Sequence, residues 1–325
     1  MTFTPTKQMP DRQIERWYQK TYQFVYDQAL GGLEWLDLVA AVKHQNSRIA
    51  RSSYIYASIL PILTCKAAGG NEALAIPLAS SWVLYDLASD IFDDIEDNDS
   101  KDVPWNNWEP ARAMNVGLGI LAAAQVCLAQ IQAEPGAFNE IQNEIARTFL
   151  MAARGQGLSE RNPLLPWYFE HTLAKSGLVF AAVAWAGTRT NTANTRLLKT
   201  MLDFGMALGS LIQIADDCYD LAPKQVQSDL STGVRTLPMI YGLTQKEHPR
   251  HTRLYFLLSD GHSLAQEEIE EVNQILIDMG ALSYSISLAK VYEQKALAAL
   301  EACCSDDSAY LRNYVCQLIP TYHSS

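Results

Sequence analysis

Two acidic clusters, each of the form Asp-Asp-x-x-Asp, constrain this chain more than any other feature of its sequence. The first runs from Asp93 to Asp97 and the second from Asp216 to Asp220, and each interrupts apolar, helix-forming sequence. Residues at i, i+3 and i+4 share a helix face, so each cluster points two or three carboxylates in one direction. Packed carboxylates repel one another, and burial increases the repulsion. The pattern predicts bound cations, and all-oxygen ligands suit a hard cation such as Mg²⁺.

The length and composition indicate one large globular unit. The 325 residues can bury a sizeable core, and 48% of them are hydrophobic, which excludes disorder of the whole chain. No Pro/Gly/Ser-rich tract or long charge run separates two halves. We therefore expect one domain over residues 1–325, with residues 1–10 flexible.

The charge and the hydropathy pattern exclude several kinds of partner. The net charge of -11 argues against nucleic acid and leaves no polybasic patch for a membrane surface. The polar stretch from Met1 to Arg12 does not resemble a signal peptide. Uninterrupted apolar runs, such as Gly177 to Gly187, are too short to span a bilayer, so no stable membrane insertion is expected. The six cysteines, with no C-x-x-C, indicate reduced thiols in a cytoplasmic protein.

Helical periodicity covers nearly the whole chain and predicts an all-α bundle of long helices. The helices are expected at 11–31, 34–44, 47–68, 72–97, 108–133, 136–157, 162–187, 191–222, 234–245, 250–259, 263–279 and 281–317. Some of them, including 73–87 and 178–186, are apolar on nearly every side and belong in the centre of a bundle. Because both acidic clusters follow such helices, the two helix ends could form the mouth of one deep apolar cavity.

Four segments make the chain resemble the trans-isoprenyl diphosphate synthase (polyprenyl synthetase) superfamily. They are LASDIFDDIED at 87–97, AKSGLVF at 174–180, GSLIQIADDCYD at 209–220 and DLSTGVRTLPMIYGL at 229–243. One Asp-Asp-x-x-Asp motif is a weak signal, but two in this order and context are a strong one. The resemblance implies the isoprenoid synthase fold, an all-α bundle around a deep apolar cavity, and commonly a homodimer.

The resemblance also implies a chemistry and the residues that perform it. Mg²⁺, three ions in the family and replaceable by Mn²⁺, would bridge the acidic clusters to the diphosphate of an allylic prenyl substrate. The leaving diphosphate would then depart and leave an allylic cation in a dry cavity. The metal ligands implied are Asp93, Asp94, Asp97, Asp216, Asp217 and Asp220, the last two of the second cluster less directly. The diphosphate contacts implied are Lys175 and Gln213, with Lys224 and Arg235 as further cations.

The chain departs from the family where a second substrate, isopentenyl diphosphate, would bind. Arg48 and Arg51 retain the basic pair of an early family motif, or alternatively neutralise carboxylates of the first cluster. Tyr85 stands in place of a family histidine, Val234 in place of a lysine, and residues 99–105 carry no arginine. Holding two diphosphates close together requires basic side chains, and these replacements reduce the number of basic side chains for the second diphosphate.

The preferred interpretation is therefore a terpene synthase built on this fold, whose cation cyclises, loses a proton or captures water. The alternative is a chain-elongating trans-prenyltransferase. A peptide-modifying enzyme that alkylates tryptophan and a catalytically dead partner subunit are two further hypotheses.

Small residues before the first cluster bear on the substrate length. Ala88 and Ser89 lie where bulky family residues shorten the product, which fits an allylic diphosphate of C15–C25 length. Tyr85, one turn lower, could set the cavity floor or face a cation. Asp86 and Asp90 either extend the acidic surface into the cavity or pair with an arginine elsewhere, and the sequence leaves both possibilities open.

Overall fold

The computed structural model describes residues 2–3, 11–96, 102–156, 164–219, 221, 235–259, 264–301, 303, 305–319 and 322–323. Asp97, Asp220 and Lys224 lie outside these residues, as do Val234, the segment 97–101 and most of residues 1–10. What was predicted for them stays a prediction. The same holds for the single domain expected over 1–325.

The described chain is almost entirely helical, as predicted. In the first half the helices are α1 (Arg12–Gln28), α2 (Leu36–Ile49), α3 (Ile55–Ser58), α4 (Leu60–Ala67), α5 (Glu72–Glu96), α6 (Pro110–Leu128) and α7 (Pro135–Gln156), with a 3-10 turn at Pro104–Asn107. In the second half they are α8 (Leu165–Trp167), a π-helical turn (Tyr168–Leu173), α9 (Ala174–Arg189), α10 (Thr195–Tyr219), α11 (Leu237–Thr244), α12 (His251–Leu257), α13 (Gln266–Asp278), α14 (Ala281–Leu300) and α15 (Ser308–Gln317). Two short strands, β1 (Thr2–Phe3) and β2 (Tyr322–His323), pair antiparallel.

Two of the predicted helices are interrupted in the structure. The helix expected over 47–68 is divided, because α2 continues to Ile49 and α3 and α4 follow. The Ser52 hydroxyl donates to the Ile49 carbonyl, and such local bonds compete with helix continuation. The helix expected over 281–317 breaks after Leu300, where the Asp307 amide donates to the Ser305 hydroxyl instead of continuing the ladder.

The long central helices pack where the sequence places its most apolar segments. The helix α10 packs against α9 on one side and α14 on the other, and α5 packs against α6, α4 and α1. A Cβ on Gly205 would overlap the backbone of Phe180, and one on Gly209 would overlap the carbonyl of Ser176. These two glycines let the backbones of α9 and α10 approach closely. The approach sets Ser176 beside the end of α10 that carries the second acidic cluster.

Two described helices, α6 and α10, are long and apolar enough to cross a membrane by length and composition. The expectation from uninterrupted apolar runs missed them because each contains isolated polar residues. In α10, 61% of the apolar window is buried inside the protein, against 44% in α6. The larger buried share shows that the apolar character of α10 serves the core.

Candidate active site

The two acidic clusters begin at the C-terminal ends of α5 and α10. Asp93 and Asp94 lie in the last turn of α5, and Asp216 and Asp217 in the last turn of α10. Helix C-termini carry partial negative charge, so carboxylates there are unfavourable without compensation. Carboxylates at these helix ends therefore need compensation from hydrogen-bond donors, basic side chains or bound cations.

The two helix ends face one region of the molecule. Burial raises the pKa of Tyr54 well above its ordinary value, and the carboxylates of Asp86, Asp90 and Asp216 raise it further. The pKa of Tyr314 in α15 is likewise raised by burial first, and then by Asp216 and Asp86. Because carboxylates of both helices raise the pKa of the same tyrosine, acidic residues of α5 and α10 lie near a common site.

On α5, the cluster is supported by partners from two other segments. The Trp105 indole N–H, in the 3-10 turn, donates to Asp94 Oδ2 at 2.8 Å, and Asp94 is buried. One turn earlier, Arg48 of α2 pairs with Asp90 at 2.6 Å. The arginine pairing is therefore the outcome for Asp90, and Arg48 neutralises a carboxylate beside the first cluster.

Asp86 has a different environment from Asp90. It accepts hydrogen bonds from the Tyr54 hydroxyl at 3.2 Å and from Gln45 Nε2 at 3.4 Å, while Tyr22 donates to Gln45 Oε1 at 2.9 Å. Burial and the neighbouring Asp90 carboxylate raise the pKa of Asp86 to about 8, against the opposing effects of Tyr54 and Arg48. This acidic group is half-buried and has no full compensating charge.

On α10, the two aspartates of the second cluster differ. Asp216 is exposed, whereas Asp217 is buried and both of its oxygens accept protein hydrogen bonds. Gln213 Nε2 donates to Oδ1 at 2.9 Å, and the Tyr168 hydroxyl and the Leu237 amide donate to Oδ2 at 2.6 Å and 2.8 Å. Asp217 thereby joins the π-helical turn, α10 and the first turn of α11, which fits its less direct predicted role.

Lys175 of α9 contacts α7, whereas Gln213 of α10 contacts the neighbouring Ser176 of α9. Ser176 donates its hydroxyl proton to Gln213 Oε1 at 2.9 Å, and the Lys175 ammonium donates to Gln156 Oε1 at the end of α7. The π-helical turn ends at Leu173, two residues before Lys175, and π-turns are frequent at functional sites. These contacts place Lys175 one residue from the chain of hydrogen bonds that runs from Ser176 to Asp217.

The other predicted site residues lie at varied distances from this arrangement. The Tyr85 ring stacks on Phe149 of α7 with ring centroids 3.8 Å apart, and its hydroxyl accepts from Gln125 of α6. Ala88 is fully buried and Ser89 half-buried, so both are consistent with a lining position. The Arg235 guanidinium donates to the Leu258 carbonyl at the end of α12, and Arg51 is exposed. Their substrate contacts stay predictions.

The sequence analysis did not single out several residues that organise the site. They are Gln45, Tyr54, Trp105, Tyr168 and Tyr314. None belongs to a recurring motif, and each comes from a separate segment; the first four donate to the aspartates, and Tyr314 lies near enough for Asp216 and Asp86 to raise its pKa. Only the folded chain brings them there.

The donor set fits divalent cations that share their coordination with a substrate. Within the described residues, no three acidic, histidine or cysteine side chains converge to hold a metal ion unaided. Mg²⁺ commonly takes only one or two carboxylates and completes its shell with water and substrate phosphates. Asp93 and Asp216, half-buried and exposed respectively, can supply such ligands from opposite helices.

Comparison with known proteins identifies the family. The family model for polyprenyl synthetase matches residues 56–276. A geranylfarnesyl diphosphate synthase of Aeropyrum pernix is 28% identical over 262 residues, 73% of this chain and 80% of that protein. The tryptophan prenyltransferase ComQ of Bacillus spizizenii is 27% identical over 241 residues, 71% of this chain and 82% of that protein.

Solved structures confirm the fold predicted from the motifs. A geranylgeranyl pyrophosphate synthetase from Pyrococcus horikoshii superposes with a TM-score of 0.83 at 21% identity, covering 95% of this chain and 98% of that one. A polyprenyl synthase from Caulobacter crescentus, complexed with calcium and isoprenyl diphosphate, gives 0.80 at 20% identity with 95% of each chain covered. With two aspartate-bearing helix ends on one site, the isoprenoid synthase fold and a family model that spans most of its length, this chain belongs to the polyprenyl synthetase family and is an enzyme that uses isoprenyl diphosphates.

Proposed function

We propose that the enzyme transfers a prenyl group from an allylic diphosphate, of C15–C25 length, to a carbon nucleophile. The observation that carries the proposal is that Tyr54, which donates to Asp86 of α5, also lies near enough to Asp216 of α10 for that carboxylate to raise its pKa. The relatives support this reaction, because those named above are diphosphate synthases and a prenyltransferase. They favour the alternative interpretation of the sequence, a chain-elongating trans-prenyltransferase, over the cyclisation that was preferred.

The donor half of the reaction follows from the charges at the two helix ends. The bond between the allylic carbon and the diphosphate oxygen breaks, and its electron pair leaves with the diphosphate. Bound Mg²⁺, three ions as in the family, would neutralise the charge that develops on the leaving group. Asp93, Asp94 and Asp216 would hold these ions, together with Asp97 and Asp220, and Mn²⁺ would substitute. Lys175 would add a fixed cation for the departing diphosphate.

The second half of the reaction is the attack of the acceptor on the allylic cation. The π electrons of the acceptor form a new carbon–carbon bond with the allylic cation, and the acceptor carbon then loses a proton to an oxygen of the released diphosphate. Apolar residues of α5, including the buried Ala88 and Tyr85, would keep water away from the cation. If water enters instead, the product is an alcohol, and if no acceptor reacts, the cation cyclises or loses a proton.

One incubation series tests the proposal. The purified protein is mixed with Mg²⁺ and C10, C15, C20 or C25 allylic diphosphate, each with isopentenyl diphosphate, with an indole acceptor or with neither. Released diphosphate and the products are measured. We expect substantial diphosphate release only when an acceptor is present. Hydrocarbon or alcohol as the main product without any acceptor would show that the enzyme is a terpene synthase.

We further propose a homodimer that uses the outer face of α6. Met114, Leu118 and Val126 are exposed along one side of this helix, and its other side packs on α5. A twofold contact pairs the same patch from both copies, so one apolar helix face can bury itself. Leu118→Glu should yield a monomer in analytical ultracentrifugation. Val291→Glu, at a similarly exposed apolar position on α14, should leave the mass unchanged.

We place the enzyme in the cytoplasm, without nucleic acid or a stable membrane anchor as a partner. The net charge of -11 and the buried free thiols of Cys65 and Cys127 support this location. Fractionation of cells that express a tagged chain would test it. Recovery in washed membranes, resistant to high salt, would refute it.

A further inference from the structure

The helix α15 brings a tyrosine to the candidate active site. It packs against α4 and α14, and it carries Tyr314, which is 1% exposed. The Tyr314 ring stacks on Tyr56 of α3, with ring centroids 5.2 Å apart and an angle of 7° between the ring planes. Two residues before Tyr56, the Tyr54 hydroxyl donates to Asp86 at 3.2 Å. The stack therefore sets Tyr314 beside the part of the site that α5 forms.

Tyr314 also lies near the end of α10. Burial raises its pKa, and the carboxylates of Asp216 and Asp86 raise it further. The interaction between charges falls with distance, so these effects show that the phenol lies close to both helices. A tyrosine hydroxyl is protonated at neutral pH and can donate a hydrogen bond. Tyr314 thus provides a neutral donor between α5 and α10.

The hydroxyl group of Tyr314 is not bonded to another part of the described chain. Among the described residues, none forms a hydrogen bond with it, whereas the neighbouring Tyr54 hydroxyl is bonded to Asp86. Buried tyrosine hydroxyls usually have a partner, because an unpaired buried donor costs free energy. A ligand bound between α5 and α10 would supply that partner.

We propose that Tyr314 is a substrate-binding residue and that its hydroxyl donates a hydrogen bond to an oxygen of the allylic diphosphate. The inference rests on the proposed prenyl transfer and adds a residue of α15 to its diphosphate site. A diphosphate held by cations between Asp93 and Asp216 presents charged oxygens, and a hydrogen bond to a charged acceptor is stronger than one to a neutral acceptor. The stack on Tyr56 holds the ring in place before the substrate binds, so little side-chain freedom is lost when the bond forms.

The role of Tyr314 as a donor involves no proton transfer. Burial and the two nearby carboxylates raise the pKa of Tyr314, which opposes the loss of its proton. When the bond between the allylic carbon and the diphosphate oxygen breaks, negative charge grows on the diphosphate, and a hydrogen bond from the hydroxyl becomes stronger. Tyr314 should therefore stabilise the diphosphate both before and during its departure.

Calorimetric titration of inorganic diphosphate in the presence of Mg²⁺ tests the proposal without relying on turnover. Tyr314→Phe removes the hydroxyl and keeps the ring that stacks on Tyr56. We expect binding about tenfold weaker than that of the wild type. Tyr310→Phe, one turn earlier on α15, is the matched control. After burial, the pKa of Tyr310 is raised by Asp11 and Asp307 and not by the site aspartates, so this variant should bind diphosphate within about twofold of the wild type.

The possible results separate the role of Tyr314 from the proposed function. Equal affinity of the wild type and Tyr314→Phe, an equal loss in Tyr310→Phe, or no binding of diphosphate by the wild type would overturn that role. Absence of diphosphate release from every allylic substrate would refute prenyl transfer, and the calorimetry would still decide whether Tyr314 binds diphosphate. Phenylalanine fills the space of tyrosine apart from one oxygen, so far-ultraviolet circular dichroism should show that both variants are folded.

Discussion

The ends of α5 and α10 carry the same acidic motif, but the hydrogen-bond partners and the exposure of its carboxylates differ between the two ends. At α5 the carboxylates are held by partners from other segments, Trp105 for Asp94 and Arg48 for Asp90, and Asp86 remains poorly compensated. At α10 one aspartate, Asp216, is exposed, while its neighbour Asp217 is consumed by three protein hydrogen bonds. The same motif can therefore leave one aspartate accessible to a ligand and bury the next one in hydrogen bonds to the protein.

The largest expected effect is the loss of activity when the exposed Asp216 of α10 is replaced. Asp216→Ala should lower turnover by about 10³-fold or more, because it removes a carboxylate that would hold the metal ions on the leaving diphosphate. Asp203→Ala, an exposed change on the same helix, should leave turnover within about twofold. Diphosphate release is measured, with far-ultraviolet circular dichroism to verify folding. Near-normal turnover in Asp216→Ala would show that the metal assignment is wrong.

The next effect separates Asp216 and Asp217 of α10 by the stability of their alanine variants. Asp217→Ala should reduce the free energy of unfolding by about 2–4 kcal/mol, because buried donors of Tyr168 and Leu237 lose their acceptor. Asp216→Ala should change it by less than about 0.5 kcal/mol. Urea unfolding followed by circular dichroism gives both values. Equal stability of the two variants would contradict the architectural role of Asp217.

A smaller effect tests the support of the α5 cluster. Trp105→Phe keeps an aromatic ring in the 3-10 turn but removes the N–H that donates to buried Asp94. Loss of a hydrogen bond to a charged acceptor should lower the free energy of unfolding by about 1–3 kcal/mol. Trp108→Phe, in the same segment and less buried, is the control. If both substitutions act alike, the indole bond to Asp94 contributes nothing specific.

The smallest effect depends on pH and concerns Asp86. Its pKa of about 8 in the folded protein lies above the unfolded value, so the folded state retains a proton that the unfolded chain releases. Stability from this group is therefore full at low pH and is lost as the pH rises toward 8. In EDTA, Asp86→Asn should gain about 1–2 kcal/mol over the wild type between pH 6.5 and pH 8. Thermal unfolding of both proteins and of Asp203→Asn at several pH values measures the difference; a constant gap would contradict the assignment.

Particular residues show how far the sequence could predict the site. The helical period and the two acidic motifs placed Asp93, Asp94, Asp216 and Lys175 on the correct helices, because such patterns follow from local geometry. The breaks at Ser52 and after Leu300 were missed, since local side-chain bonds there override an apolar period. For Asp90 two possibilities were open from the sequence, and only the position of Arg48 on α2 decided in favour of an arginine pair.

By itself, the sequence determined that this chain is an all-α protein of the polyprenyl synthetase family with acidic motifs at the ends of two helices. Periodicity and motif spacing are properties of short segments, so they can be recognised in the sequence before the tertiary structure is known. The tertiary structure decided which carboxylates are bonded to other residues of the protein. Asp217 accepts hydrogen bonds from Tyr168 and Leu237, Asp90 forms an ion pair with Arg48, and Asp94 accepts a hydrogen bond from Trp105. These partners come from distant parts of the chain, and electrostatic and hydrogen-bond energies depend on distances that only packing sets.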